Sequence, residues 1–444
     1  MIILKFGGSS VSSAKNIKNI CEIVKKEIER DPIIVVSALG GVTDLLIAAG
    51  NSHGRGQKEI EGVFKIHQDL VLKLWGKDEK RVEILAFVNS KLKDAERLLR
   101  RGKLNQAALD KLCSYGEILS SYIVCESLKS QSINAICAVS TDFVITDSNF
   151  GSAEFIVGIT KNRCRKWLIP LVKNGVVPVV TGFIGGTKDG KTTTLGRGGS
   201  DYTASILAFS LGASEVQIWT DVDGIFSADP RIVSAARLLS SVSYREASEL
   251  AFFGAKVLHP RTLKPAIKMG IPVRVLNTFS PKGAGTTITG KTIVKRAVSA
   301  ISYKKEVTLV NIYSTEMLFS KGFLARIFDV FAKNNISVDL VSVSEVSVSV
   351  TLNSYDSLSK AARDLEKFAS INIESNLGMV SLVGEGIVKS PSTIREIFDI
   401  LDEEKTLVRM VSLGATDINL SLVVQYDRVE GLVKALHKNL IEEK

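Results

Sequence analysis

Long apolar runs are missing from this chain. Nothing in it approaches the roughly 18 consecutive apolar residues of a membrane-spanning helix. The opening Met1-Ile-Ile-Leu-Lys-Phe-Gly-Gly8 breaks off too early for the apolar region of a secretory leader. Cysteine is sparse and unpatterned: five residues, at 21, 113, 125, 137 and 164, with no CxxC pair and one left over. This argues against a disulfide framework and for reduced thiols in a cytoplasmic chain. Four scattered histidines provide neither a metal cluster nor an evident triad, and metal ligands stay unassigned. Single-sign charge blocks are lacking too. The net charge is +10, but Lys and Arg are dispersed among Glu and Asp on helical patterns such as Lys80–Arg101. That pattern speaks against a nucleic-acid partner and for a basic surface that attracts anionic metabolites.

What is present is enough for two or three domains. The chain has 444 residues, 45% apolar and 23% charged, with ample material for buried cores. Its organising stretch is Thr192-Thr-Thr-Leu-Gly-Arg-Gly-Gly-Ser-Asp-Tyr202. Gly196, Gly198 and Gly199 allow positive φ and close backbone approach to a ligand. Ser200 and Asp201 read as the capped first turn of a helix, whose free N–H groups suit an anion. Arg197 adds a forked cation for a carboxylate or phosphate; the alternative is a tight connection with a solvent-facing Arg.

Earlier in the chain, Met1–Phe6 reads as a strand, Gly7–Ser10 as a turn and Ala14–Glu29 as an amphipathic helix. Lys5 ends that strand, the edge where ligands gather in open α/β sheets; it either points at a phosphate or snorkels. A second strand, Ile33–Val36, ends in the small, hydroxyl-bearing turn Ser37-Ala-Leu-Gly-Gly-Val-Thr43. Helices fill 57–128, and Glu117 lies among apolar neighbours there or on a solvated face. Strands are expected near 133–139, 143–146 and 176–180, with a helix over 161–173. Gly185-Gly-Thr-Lys-Asp-Gly-Lys-Thr192 matches the phosphate-loop pattern letter for letter. The β-branched run that follows is a poor helix start, so a hairpin turn at 188–191 is the better reading. Strand 215–219 leads into Thr220-Asp-Val-Asp-Gly-Ile-Phe-Ser-Ala-Asp-Pro-Arg231, and Pro260 opens another helix. Alternating strands and helices to about residue 290 indicate an α/β fold with a largely parallel sheet.

The last third repeats. Ile327-Phe-Asp329 recurs as Ile397-Phe-Asp399 and Val341-Ser342 as Val411-Ser412, each 70 residues later. The alternating run 347–352 falls on 417–422 at that spacing. Each unit reads as a βαββαβ module.

Together, Lys5-Phe-Gly-Gly-Ser-Ser10, Gly182-Phe-Ile-Gly185, the 192–202 stretch, Thr220-Asp-Val-Asp-Gly-Ile225 and Phe253-Gly-Ala-Lys-Val-Leu-His-Pro260 resemble the motifs of aspartate kinases, in order and spacing. The resemblance implies an amino-acid-kinase three-layer sandwich over 1–290. It also implies two ACT (ferredoxin-like) modules, at 304–376 and at 377–444, the latter completed by a strand from 295–303. No homoserine dehydrogenase domain follows, so the likeness is to the monofunctional type. Ser9, Phe226 and Asp223 depart from the family's usual Thr, Tyr and Pro, which bears on nucleotide contacts rather than on the reaction.

The implied reaction transfers the ATP γ-phosphoryl group to the side-chain carboxylate of L-aspartate. A carboxylate of pKa ~4 is already ionised, so the task is positioning and charge neutralisation by lysines, N–H groups and Mg²⁺. By resemblance, Lys5 faces the phosphoryl group and Asp201 organises it. Arg197 clamps the α-carboxylate and Glu117 takes the α-ammonium. Ser37, Thr43, Phe183, Thr194 and Ser200 complete the substrate side. Gly7, Gly8, Thr220, Asp221, Phe226, Arg231 and Lys256 form the ATP side. The segments Met317–Ala325, Ser337–Leu340 and Ser344–Val348 look most like those of lysine-inhibited members. Met317, Ser320, Phe323, Leu324, Ser337, Val338, Asp339, Ser344 and Glu345 would line the lysine site, in a homodimer or tetramer built through the ACT modules. A kinase for glutamate or N-acetylglutamate and a non-catalytic amino-acid sensor are the competing readings.

Overall fold

The computed structural model describes residues 1–253, 260–290, 296–318, 320–353, 357–414 and 417–443. The chain divides into two units. Met1–Ile225, Leu238–Tyr244 and Val257–Thr292 make the first; Phe226–Arg237, Arg245–Lys256 and Ile293–Lys444 make the second.

The first unit begins with β1 (Ile2–Phe6), α1 (Gly8–Val11), α2 (Ala14–Lys26), β2 (Pro32–Val36) and α3 (Val42–Asn51). Three long helices follow, α4 (Gln57–Trp75), α5 (Lys80–Leu99) and α6 (Gln106–Ser130). Next come β3 (Ala135–Ala138), β4 (Ile145–Thr146), α7 (Val157–Lys173), β5 (Val177–Thr181), β6 (Ile184–Thr187), β7 (Thr192–Thr194), α8 (Gly199–Leu211) and β8 (Val216–Thr220). β9 (Ser241–Ser243), α9 (Tyr244–Phe252), α10 (Pro260–Lys268), β10 (Val273–Asn277) and β11 (Thr286–Thr289) complete it, α9 passing into the second unit.

Eight strands form one sheet in the order β3-β5-β2-β1-β8-β10-β11-β9. Every pairing is parallel except β10 with β11. Side chains alternate across a strand, and β1 uses both faces. Ile2, Leu4 and Phe6 enter the apolar core shared with α2–α6, whereas Lys5 points to the opposite face, where α8 runs. Helices on both faces of a parallel sheet give the expected three layers.

Several local expectations need correction. Gly7–Ser10 is not a plain turn: Gly8–Val11 form a single helical turn because Ser10 and Val11 are both drawn inward. The Ser10 hydroxyl lies 2.7 Å from that of Thr278. α2 stops at Lys26, short of Glu29, and the chain turns through Asp31 at φ +53°. Ser200 does not cap α8. Gly198, at φ +70°, occupies that position, and α8 starts at Gly199, where a Cβ would lie 2.5 Å from the Phe183 ring. The hairpin reading of 188–191 holds. β6 and β7 pair antiparallel around it, and strand rather than helix follows Lys191, so the phosphate-loop match is one of letters only.

The second unit contains β12 (Ala300–Tyr313), α11 (Phe323–Lys333), β13 (Val338–Val343), β14 (Ser347–Leu352), α12 (Leu358–Leu365), β15 (Ser370–Val383), α13 (Pro391–Glu403), β16 (Val408–Leu413), β17 (Asn419–Gln425) and α14 (Val429–His437). They form one antiparallel six-stranded sheet in the order β13-β14-β12-β15-β17-β16. β12 and β15 are 14 residues each and serve both modules. Val307–Tyr313 pair with the first half of β15, while Ala300–Lys304 pair with Val383–Met379 beside β17. The register slips between Lys304 and Leu309. Ile327 and Ile397 are both fully buried, one in each module's core. The alternating run of the second module sits at 419–425 rather than 417–422. Leu420, Leu422 and Val424 there match the buried Val348, Val350 and Leu352. A shift of two residues keeps the same face inward.

Candidate active site

A cleft of about 640 Å³ opens in the first unit over the carboxyl ends of β1 and β2. Its walls include Lys5, Gly8, Ser37, Thr43, Glu117, Phe183, Thr194, Arg197, Ser200 and Asp201. These come from β1, α1, three turns, α3, α6, β7 and the start of α8, so the fold gathers residues nearly 200 positions apart.

Lys5 is 8% exposed. Its Nζ lies 2.5 Å from Asp201 Oδ1, in the first turn of α8, where the helix dipole also favours a carboxylate. A Cβ on Gly7 would come within 3.4 Å of that Nζ, and one on Gly8 within 3.0 Å of the Ala38 carbonyl. Both glycines thus keep the floor beside the lysine free of side chains. Gly182 and Ser200 pack so closely that a Cβ at 182 would sit 2.6 Å from the serine Oγ. Phe183 adopts φ +66°, and its N–H donates to the Thr203 hydroxyl at 3.0 Å.

Glu117 projects into the cleft from α6 but is 3% exposed. The Ala38 N–H donates to its Oε1 at 3.2 Å, and Oε2 has no partner. Burial pushes its carboxyl up to about 8, only partly offset by the Ala38 hydrogen bond. A buried acid with one free oxygen is a socket for an ammonium group. Arg197, by contrast, is exposed on its glycine turn with no ion-pair partner among the described residues. The cleft therefore offers a socket for a cation, a free guanidinium for a carboxylate and a lysine at the sheet edge.

Sequence reasoning missed Asp110. It is 1% exposed, lines the same cleft and accepts from the Thr194 N–H at 2.8 Å, the Gly151 N–H at 2.8 Å, the Thr194 hydroxyl at 3.1 Å and Gln106 Nε2 at 3.2 Å. Its position seven residues before Glu117, two turns along one helix face, was the available signal. The Thr194 hydroxyl proton is thereby committed, leaving lone pairs rather than a donor for a ligand.

Other marked residues lie elsewhere. Thr220 and Asp221 stand at the end of β8, the Thr220 hydroxyl donating to Asp221 at 3.1 Å. Phe226 and Arg231 belong to a segment grouped with the second unit, and Arg231 is exposed and forked onto Asp229 at 2.6–3.2 Å. Lys256 lies outside the described residues. Among the described residues no group of three or more His, Cys, Asp or Glu is spaced to hold a metal ion. Nor is any described helix long and apolar enough to cross a membrane.

The residues marked for an effector lie in the second unit. Ser320, Leu324, Ser337 and Glu345 are exposed; Met317 and Val338 are half-buried. Phe323 is 4% exposed, its ring edge-on to Phe368 in the module core. The Ser344 hydroxyl lies 2.7 Å from that of Ser347. Asp339 is already paired: Lys304 Nζ sits 3.0 Å from its Oδ2 and 4.9 Å from the centre of the Phe252 ring.

Comparison with known proteins agrees with this architecture. The amino acid kinase family matches residues 1–277 and an ACT domain matches 380–440. The chain is 35% identical to lysine-sensitive aspartokinase 3 of Escherichia coli, covering all of this chain and 99% of that one. Two solved structures of E. coli aspartokinase III superpose over 99% of both chains at 34% identity. The complex with aspartate and ADP, described as the R-state, gives a TM-score of 0.86. The complex with lysine and aspartate, described as the T-state, gives 0.85. On the strength of that full-length likeness and of the cleft at the sheet edge, the chain belongs to the aspartokinases of the amino acid kinase family and is an aspartate kinase.

Proposed function

We propose that the cleft binds L-aspartate between Glu117 and Arg197 and presents its side-chain carboxylate to the γ-phosphate of ATP beside Lys5. The observation that carries this is the unpartnered, buried Oε2 of Glu117 in the cleft that Arg197 also lines. An α-amino acid needs both: an anion for its ammonium and a forked cation for its carboxylate. A side-chain carboxylate oxygen then attacks the γ-phosphorus, the bond to the ADP oxygen breaks, and no proton has to move. Lys5, held by Asp201, neutralises charge on the transferring group. Gly7 and Gly8 leave room for the phosphates, and Thr220, Asp221, Phe226, Arg231 and Lys256 serve the nucleotide. Mg²⁺ bound with the nucleotide would offset phosphate charge; among the described residues no group of three or more His, Cys, Asp or Glu is spaced to hold it.

L-lysine is the proposed feedback inhibitor, bound by the ACT modules around Asp339 and Glu345, with catalysis assigned to 1–290 and regulation to 304–444. The lysine-bound T-state relative supports this reading. A homodimer or tetramer through the ACT modules and a cytoplasmic location belong to the same proposal. The test is aspartate- and Mg²⁺-dependent ADP release with and without millimolar L-lysine. Turnover suppressed by lysine supports both halves. Turnover indifferent to lysine removes the regulatory half, and turnover with glutamate in preference to aspartate removes the substrate assignment.

A further inference from the structure

Asp110 does more than satisfy its neighbours, because the groups it holds lead directly into the Arg197 turn. Thr194 is the last residue of β7, and Leu195-Gly196 alone separate it from Arg197. Asp110 takes both the N–H and the hydroxyl of Thr194. Its second oxygen also takes the Gly151 N–H. The loop that carries Gly151 closes over the turn: the Ala153 N–H donates to the Thr194 carbonyl at 2.9 Å, and a Cβ on Gly196 would meet the Gly151 carbonyl at 3.4 Å. One carboxylate thus fixes the stem of the turn and the loop packed against it. Both N–H groups from which it accepts are backbone donors, and each is left with its full desolvation penalty if the acceptor goes.

The same helix carries Glu117, seven residues on and two turns away on the same face. α6 is anchored as well: Asn105 caps it through the Ala108 N–H, and 16 of its 25 residues are buried. We infer that Asp110 is a positioning residue that references Arg197 to the helix bearing Glu117, so that the anion and cation gripping the amino acid keep a fixed separation. Arg197 itself is exposed on a glycine-rich turn closed by the Gly199 N–H donating to the Gly196 carbonyl at 3.0 Å, so the turn keeps its shape while its distance from α6 is set by what holds its stem. Misplacing one end of a two-point clamp weakens substrate binding while leaving the lysine at the sheet edge untouched. This inference rests on the proposed role of Arg197.

The experiment is a double-mutant cycle on aspartate kinetics at saturating ATP, using the full-length enzyme. Asp110→Asn keeps the shape but turns an amide N–H toward buried donors. It should raise the aspartate KM about tenfold to a hundredfold, with kcat and the ATP KM within about threefold. In an Arg197→Ala background the same substitution should raise KM by less than about threefold, because the group it positions is gone. Full additivity in the cycle, or a fall in kcat with KM unchanged, overturns the inference while leaving Arg197 as a substrate ligand. An Arg197→Ala variant with unchanged aspartate KM overturns the clamp itself, and this inference with it. Thermal melting monitors folding. If the Asn variant does not fold, Asp110→Glu, which keeps the charge and displaces it by one methylene, enters the same cycle under the same criteria.

Discussion

Raising the pH from 6 to 8 should tighten the binding of aspartate, and Glu117 sets the size of the effect. Its carboxyl is pushed up to about 8 by burial, with a single N–H from Ala38 in partial compensation. Below that pH the empty site holds a neutral acid, which must lose its proton before it can pair with an ammonium group. Each unit below the titration point weakens binding roughly tenfold. The carboxyl is half ionised at pH 8, so the aspartate KM at pH 6 should exceed its value at pH 8 by about fiftyfold. The substrate's own carboxylates, with pKa ~4, stay ionised throughout. Coupled measurement of ADP release at pH 6, 7 and 8 with saturating MgATP gives the slope directly. Glu117→Gln should bind weakly with a flat profile. A flat profile in the wild type, or an equal slope in the variant, refutes the reasoning. Stability supplies an independent check of sign. The carboxyl titrates higher in the folded chain than its ordinary value, so its contribution is complete below pH ~4.5 and is lost as pH rises through about 8. Over that window the melting temperature of the unliganded enzyme should fall more steeply than that of Glu117→Gln.

Three further expectations follow from residues outside that pair. Lys5→Met should lower kcat by about 10²–10³ while leaving the aspartate KM within a few-fold; a KM effect alone would move Lys5 out of the phosphoryl role. His67 is fully buried, its Nδ1 2.7 Å from the Val63 carbonyl, and burial lowers its titration from 6.5 to about 4. Its contribution to stability is complete above pH 6.5 and lost as pH falls toward 4, so melts of His67→Leu should decline less on the acid side than those of the wild type. Lys304 already occupies Asp339. If an effector amine has to displace it, Lys304→Met should lower the L-lysine concentration for half-inhibition by about tenfold; an unchanged or right-shifted inhibition curve excludes that competition.

How much of the site could be read from sequence depended on the range over which each residue's role is set. Lys5 before two glycines and Arg197 within a glycine turn announce themselves locally, because backbone geometry near a ligand restricts the residue types. The hairpin at 188–191 was likewise decided by its own β-branched flanks. Asp110 gave no such sign. In Gln106-Ala-Ala-Leu-Asp-Lys-Leu112 it looks like any charged helix residue, and its function comes from β7 and the Gly151 loop, which meet it only in the fold. The Lys304–Asp339 pair was hidden for the same reason, being a side-chain contact across strands that are not neighbours in the sheet. The helical turn at Gly8–Val11 was missed because Ser10 finds its partner, Thr278, far along the chain.

The sharing of β12 and β15 has a consequence for anyone rebuilding the regulatory half. Both modules are cut from the same two ribbons, so among the described residues no linker separates them at which one module can be detached and another spliced in. Removing the strands and helices after Val383 would leave Ala300–Lys304 and Met379–Val383 paired only with each other and bare the hydrogen-bonding edge of β15 that β17 covers, an invitation to aggregation. Grafts that aim to change effector choice should therefore exchange the whole six-stranded block, or keep every strand and alter only side chains.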